Sequence, residues 1–349
     1  MTTVGEMSDL LAWGTASAYA IAFVAFAIDL SGRLGVRSVA REEVAVGAAT
    51  ATPTSGASTV ATDVVDPAVR DTTSAGAVSE ATARRAASLT SPWKAWSVSK
   101  PLGIAMSVAW MGLALHLAAI VTRGVAAGRA PWANLYEFVL VGAFFAMGVF
   151  LVVQRRWDIR FLGVIVSGLV TLAIVVALNA FHVAAAGVQP ALQSYWLVIH
   201  VGIAVFATGI FTVAFAASVT QLLRESRDEG SPMLASRMWS WLDQVPTAAQ
   251  LELLSFRINA VGFVLWTFTL VSGSVWAEDA WGRYWGWDPK EVWSFVIWVV
   301  YAAYLHARTT RGWSGRRAAW FVVVGYLCVL FNFTGVNILF SGKHSYSGV

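Results

Sequence analysis

The run Phe161-Leu-Gly-Val-Ile-Val-Ser-Gly-Leu-Val-Thr-Leu-Ala-Ile-Val-Val-Ala-Leu-Asn-Ala180 carries no charge over 20 residues. At about 1.5 Å per residue, a helix of this length crosses the roughly 30 Å hydrocarbon core of a bilayer. Its apolar residues are continuous and do not alternate, so it reads as a helix and not as a strand of a transmembrane barrel. Working outward in both directions gives eight such runs, at about 10–30, 102–121, 135–153, 161–180, 195–222, 258–276, 292–308 and 318–340. The fifth exceeds what a bilayer needs and should project or tilt. The chain of 349 residues is 57% hydrophobic and only 13% charged, which excludes a soluble domain. The expected fold is an all-α polytopic membrane protein of about eight transmembrane helices.

The charges set an expected orientation. The loops Gln154–Arg160 and Arg308–Arg317 are strongly basic, and the longer connection 224–257 is basic too. Positive loops stay in the cytoplasm, and these three follow runs three, five and seven, so they agree with one another. The outer face then receives 123–134, 179–194, the loop before run seven and the C-terminal tail. Arg123 and Arg129 are mild exceptions there. Both termini are expected outside. Run one has Glu6 and Asp9 before it and Arg33 and Arg37 after it. That is the reverse of a secretory signal, so a retained helix is expected. The net charge of +4 is topology information and not a nucleic-acid footprint.

Three regions follow: an N-terminal helix at 1–31, a cytoplasmic linker at 32–99 and a membrane domain at 100–349. The linker centre, 48–91, is rich in Ala, Thr, Ser and Val and nearly free of aromatics. It lacks the bulk to offset chain entropy and reads as disordered. The lone cysteine, Cys328, lies in an apolar run and reads as packing. Without Cys-x-x-Cys-His, the chain does not carry covalent heme by that route.

The last quarter holds Trp281-Gly-Arg-Tyr-Trp-Gly-Trp-Asp-Pro-Lys-Glu-Val-Trp293, with four tryptophans and a tyrosine in 13 residues. An aromatic belt would scatter such residues along helix ends. Here they concentrate in one outer loop, interleaved with Gly282 and Gly286, which permit close approach by another group. Asp288 is a good N-cap, Pro289 suits the first helical position, and Glu291 can reach back to the Asp288 amide. An anchored aromatic shelf of this kind suits a flat cofactor.

Ionisable residues in membrane spans are costly, so each histidine starts as a candidate. His116 and His182 read best as hydrogen-bonded packing residues. His200 and His344 fall on the same side as the tryptophan loop, where two neutral imidazoles would suit the axial positions of a heme iron. His306 lies near the opposite face and must serve a second site or a structural role. No span holds two histidines, which counts against a multi-heme electron carrier. The span centres show no relay of charged groups, which counts against ion-coupled transport.

Trp281-Gly-x-Tyr-Trp-x-Trp-Asp-Pro-Lys-Glu-x-Trp-Ser294, followed by Trp298, Tyr301, Tyr304-Leu-His306 and Arg308, closely resembles the cytochrome c biogenesis proteins CcsA/ResC. These belong to the heme-handling group with a WWD domain, and the actinobacterial members are usually called CcsB. Asn134-Leu-Tyr-Glu137, Ser194-x-Trp196-x-x-x-His200 and Val336-Asn337 with Gly342-x-His344-Ser-Tyr346 extend the resemblance over about 100–349. Lys343 stands where an apolar residue is more usual.

The resemblance implies a part in the two-component System II route of cytochrome c maturation. Heme b is moved to the outer face of the cytoplasmic membrane and joined through thioether bonds to the Cys-x-x-Cys-His of apocytochrome c. A ResB/Ccs1-type membrane protein is the implied partner, with a thiol-reducing thioredoxin-like protein alongside. His200 and His344 resemble the pair that holds the external heme, and His306 the ligand of a heme inside the membrane. Trp281, Tyr284, Trp285, Trp287 and Trp293 would pack on the porphyrin, and Asp288 belongs to the same catalytic loop. Arg283, Arg129 and Lys343 are candidate propionate partners. The implied activity is that of a holocytochrome c synthase subunit; the alternative is a heme exporter or chaperone without synthase activity.

Overall fold

The computed structural model describes residues 3–32, 98–187 and 194–344. The linker centre and Ser345 and Tyr346 of the closing motif lie outside these. Eight long helices carry the fold: α1 (Val4–Gly32), α2 (Lys100–Ala127), α3 (Leu135–Val153), α4 (Gly163–Ala180), α5 (Tyr195–Asp228), α6 (Ala248–Trp281), α7 (Pro289–Thr310) and α8 (Arg316–Leu330). There is no strand among the described residues. α8 runs into a widened π turn, Phe331–Gly335, and a last helical turn, Val336–Leu339.

Local chemistry sets the starts. Ser99 caps α2 with Pro101 behind it, Asn134 caps α3, and Thr247 and Gln250 form a capping box on α6. α5 and α6 each reach 34 residues, well beyond a bilayer. The length of α5 is as expected. That of α6 was hidden by Gln250, Glu252, Arg257, Glu278 and Asp279, whose charges and amides fall in its outer turns.

Among the described residues seven helices are long and apolar enough to cross a membrane, so this is a multi-pass membrane protein. α7, with 22 residues, is the long helix outside that set. Its sequence includes Trp293, Trp298, Tyr301, Tyr304 and His306, whose polar tips lower its hydropathy.

α1 lies along α2 and α4, and α3 joins them. α5 is the central post, packing on α3, α6 and α8, while α7 closes the second group against α6 and α8. Small residues let the helices approach: a Cβ on Gly209 of α5 would lie 2.8 Å from the Ala146 amide of α3. Trp266 donates to the Ser294 carbonyl and Trp298 to the Thr267 hydroxyl, each at 3.0 Å, tying α6 to α7. The loops 128–134 and 282–288 and the ends of α4 and α8 share one end of the bundle. The basic loops gather at the other, where Gly315 bonds Glu252 and Arg316 pairs with Glu229.

Candidate functional site

The loop end of the second group opens into a cavity of about 1090 Å³, counting its mouth. His200, Trp132, Phe138, Trp276, Tyr284, Trp285 and His344 are among its lining. The two histidines come from α5 and from the turn after α8. They meet across one indole: Trp276 stacks on His200 at 6.0 Å and meets His344 edge-on at 5.6 Å.

Each imidazole is oriented by an acceptor. His200 Nδ1 donates to the Thr269 carbonyl at 3.0 Å, and His344 Nδ1 donates to Asp288 at 2.9 Å. A carbonyl or carboxylate oxygen only accepts here, so the proton sits on Nδ1 in both rings. When the ring is neutral, Nε2 keeps its lone pair, and it has no hydrogen bond among the described residues. That is the tautomer a metal ligand needs, with its other nitrogen held in the usual way.

Asp288 joins the two halves of the site. Its carboxylate caps α7 at the Lys290 amide, takes the Lys343 amide at 2.6 Å and holds His344. Burial opposes its ionisation, but the hydrogen bond and charge of His344 and the two amides outweigh it, so its pKa falls from 3.8 to about 2. Glu291 completes the expected capping box, bonding the amides of Gly286 and Asp288 at 2.8 and 3.1 Å. Those amides flank Trp287, whose φ of 59° lies in the left-handed region that side chains avoid. The clamp holds this strained residue with its indole exposed.

The expected aromatic contacts divide. Tyr284 and Trp285 line the cavity. Trp281 stands behind His344 at 4.9 Å, and Trp287 stands edge-on to Trp285 at 5.8 Å. Trp293, expected on the ligand, instead packs on Phe331 of the π turn at 4.4 Å. The loop glycines also differ from expectation. Gly282 ends α6 with φ 68°, and the space beside Gly286 is filled by the Arg283 guanidinium, not by a ligand.

The other candidates lie elsewhere. His306 is exposed on α7, towards the basic end. His116 is fully buried between Tyr19 and Phe144, and His182 pairs with Asp9 at 3.0 Å. Both fit the packing reading. Arg129, a candidate propionate partner, is bound to Glu137 at 2.7 Å, and Arg123 bonds the same carboxylate at 2.9 Å. One carboxylate thus holds both guanidiniums and offsets one of the two positive charges that broke the loop pattern. Cys328 packs against the apolar core of α7 and α8.

Sequence reasoning missed Trp276, Thr269 and Gly273, which lie on one face of α6 at helical spacing. A Cβ on Gly273 would lie 2.6 Å from His200 Cε1, so this glycine makes room for the imidazole. Trp132 and Asn332 were missed as well.

A family model described as cytochrome C assembly protein matches residues 132–344, the segment that holds this whole cavity. The chain belongs to that family. It is 36% identical over 274 residues to a cytochrome c biogenesis protein CcsA of Synechococcus sp. (strain CC9902), covering 73% of this chain and 90% of the relative. Another CcsA, from Parasynechococcus marenigrum (strain WH8102), is 36% identical over 276 residues, with coverages of 73% and 90%. A solved cytochrome c heme lyase CcmF shares the fold, with TM-score 0.52 and 17% identity, over 84% of this chain. The match spans half of the lyase chain. As a cytochrome c assembly protein, the chain acts in cytochrome c maturation.

Proposed function

We propose that the chain presents heme b at the outer face of the cytoplasmic membrane for covalent attachment to apocytochrome c, in complex with a ResB/Ccs1-type protein. The observation that carries this is the pair of histidines on one aromatic cavity, each with Nδ1 tied down and Nε2 free. His200 and His344 are the axial ligands. Tyr284 and Trp285 lie against the porphyrin, Trp281 braces His344, and Trp287 is held at the rim for the incoming peptide. Asp288 positions His344, and Trp293 supports the π turn.

Heme is the substrate. In attachment, each thiol adds across a vinyl group: sulfur bonds to the inner carbon and the proton goes to the outer one, with no net oxidation. The chain contributes orientation, since proximity in a fixed geometry is worth several kcal/mol of barrier. The histidine of the Cys-x-x-Cys-His peptide replaces one of the two imidazoles and draws the product away. α7 is the eighth span. His306, on its exposed flank, ligates a second heme inside the membrane, opposite a histidine from the partner. A thioredoxin-like protein keeps the client thiols reduced.

The test is reconstitution of the purified complex with heme and an apocytochrome c, following thioether formation by mass and by the pyridine hemochrome band. Wild type should form the bonds, and His200→Ala and His344→Ala should abolish or severely reduce them. Full synthesis by both variants would remove the proposal. A complex that binds heme and never forms thioethers would instead favour the exporter reading.

A further inference from the structure

Lys290 follows the cap of α7 and lines the same cavity as the two histidines. Its Nζ donates to the Asn332 carbonyl at 2.6 Å and to Asn337 Oδ1 at 3.2 Å, and stands 5.9 Å from the Phe333 ring. Both acceptors are neutral, and among the described residues Lys290 makes no ion pair. The nearby carboxylates are committed. Asp288 holds His344 and two amides. Glu291, which also lines the cavity, bonds two amides through Oε2, and its Oε1 faces Arg283 at 3.7 Å.

A partly buried ammonium whose hydrogen-bond acceptors are both neutral is costly, and a third N–H of Nζ remains beyond the two bonds. The Trp132 indole N–H lies on the same lining, buried and without a partner among the described residues. The aromatic wall thus carries one indole N–H with no protein acceptor among the described residues and one amine whose two acceptors are neutral oxygens. That is the chemistry of a carboxylate seat.

Resting on the reading of the cavity as a porphyrin site, we infer that Lys290, with Trp132, receives a propionate of the bound heme. The macrocycle then lies with its acid edge towards the start of α7 and the π turn. Its vinyl groups, on the opposite edge, point away from Lys290. Lys290 is thereby an orienting residue, distinct from the iron ligands.

The experiment compares binding of iron protoporphyrin IX and its dimethyl ester to the complex with its partner, for wild type, Lys290→Gln and Lys290→Arg. Thermal melting is recorded for each. A charged hydrogen bond is worth about tenfold to hundredfold in affinity, so wild type should prefer the free acid by that order. Lys290→Gln, which can still bond the Asn332 carbonyl, should lose most of the preference while keeping the bis-histidine spectrum and melting point. Lys290→Arg should retain it. An unchanged preference in Lys290→Gln, or no preference in wild type, overturns the inference and leaves the histidine site standing. Wild-type bands that do not depend on His200 or His344 would remove the porphyrin reading and this inference together.

Discussion

His344 donates through Nδ1 to the Asp288 oxygen that also accepts the Lys290 amide at the start of α7. One carboxylate therefore caps a helix and fixes a ligand histidine carried by another segment. The aromatic loop and the turn after α8 are thereby held in register.

Asp288→Asn separates these two tasks. Asparagine caps a helix about as well as aspartate, so the cap itself should change by well under about 1 kcal/mol, and any further loss of stability reports the charged contact to His344. The imidazole loses its carboxylate, and losing the group that orients a ligand histidine typically costs about 10–100-fold in metal affinity. Heme titration should fall by that order, while Asp288→Ala should add a cap penalty of about 1 kcal/mol in thermal melts. Equal heme affinity in Asp288→Asn would show that the contact does not position His344.

The same contact gives a pH dependence. The Asp288 pKa is lowered in the fold, so its stabilising contribution is full above about 3.8 and is lost as pH falls through about 2. The difference in melting temperature between wild type and Asp288→Asn should stay flat down to about pH 4, then shrink towards pH 2. A difference that grows on acidification has the wrong sign.

Gly273→Ala should act on the site and not on the helix. Alanine is favoured over glycine in a helix by about 1 kcal/mol. Here the added carbon would lie 2.6 Å from His200 Cε1 and 2.8 Å from Nδ1, so the ring must turn. The expected outcome is a weakened or altered heme spectrum with thermal stability preserved. An unchanged spectrum would mean that the ring is not held against α6.

Glu137→Gln should be costly far from the chemistry. It leaves Arg123, at 1% exposure, without its carboxylate, and breaking such a buried pair typically costs about 3–5 kcal/mol. A sharply lower melting temperature is expected, with the heme spectrum intact in whatever remains folded. A neutral effect would place this pair in water.

The apolar runs made the helical bundle legible because a bilayer demands long uninterrupted segments, and Phe161–Ala180 alone implies one. Helix ends were less so: Glu252 and Glu278 fall inside the 34 residues of α6, where hydropathy alone ends the helix early. The cap Asp288-Pro-Lys-Glu291 could be read outright, since its bonds are local. Its reach to His344, 56 residues on, could not, because no local rule pairs a cap with a distant turn. Trp276 was hidden for the same reason: in a chain with 18 tryptophans, only the fold shows which one lies between two histidines. The resemblance put Trp293 on the ligand, and its place in the loop made Gly286 look open to one, but Trp293 packs on the π turn and Arg283 fills the space beside Gly286.

The most direct measurement is an electron paramagnetic resonance and absorption spectrum of the ferric complex with its partner, for wild type, His200→Ala and His344→Ala, with imidazole added back. Wild type should show a low-spin signal of two imidazoles at the external site. Each variant should lose it and regain it with imidazole. Wild-type signals in both variants without added imidazole would contradict the shared-iron geometry.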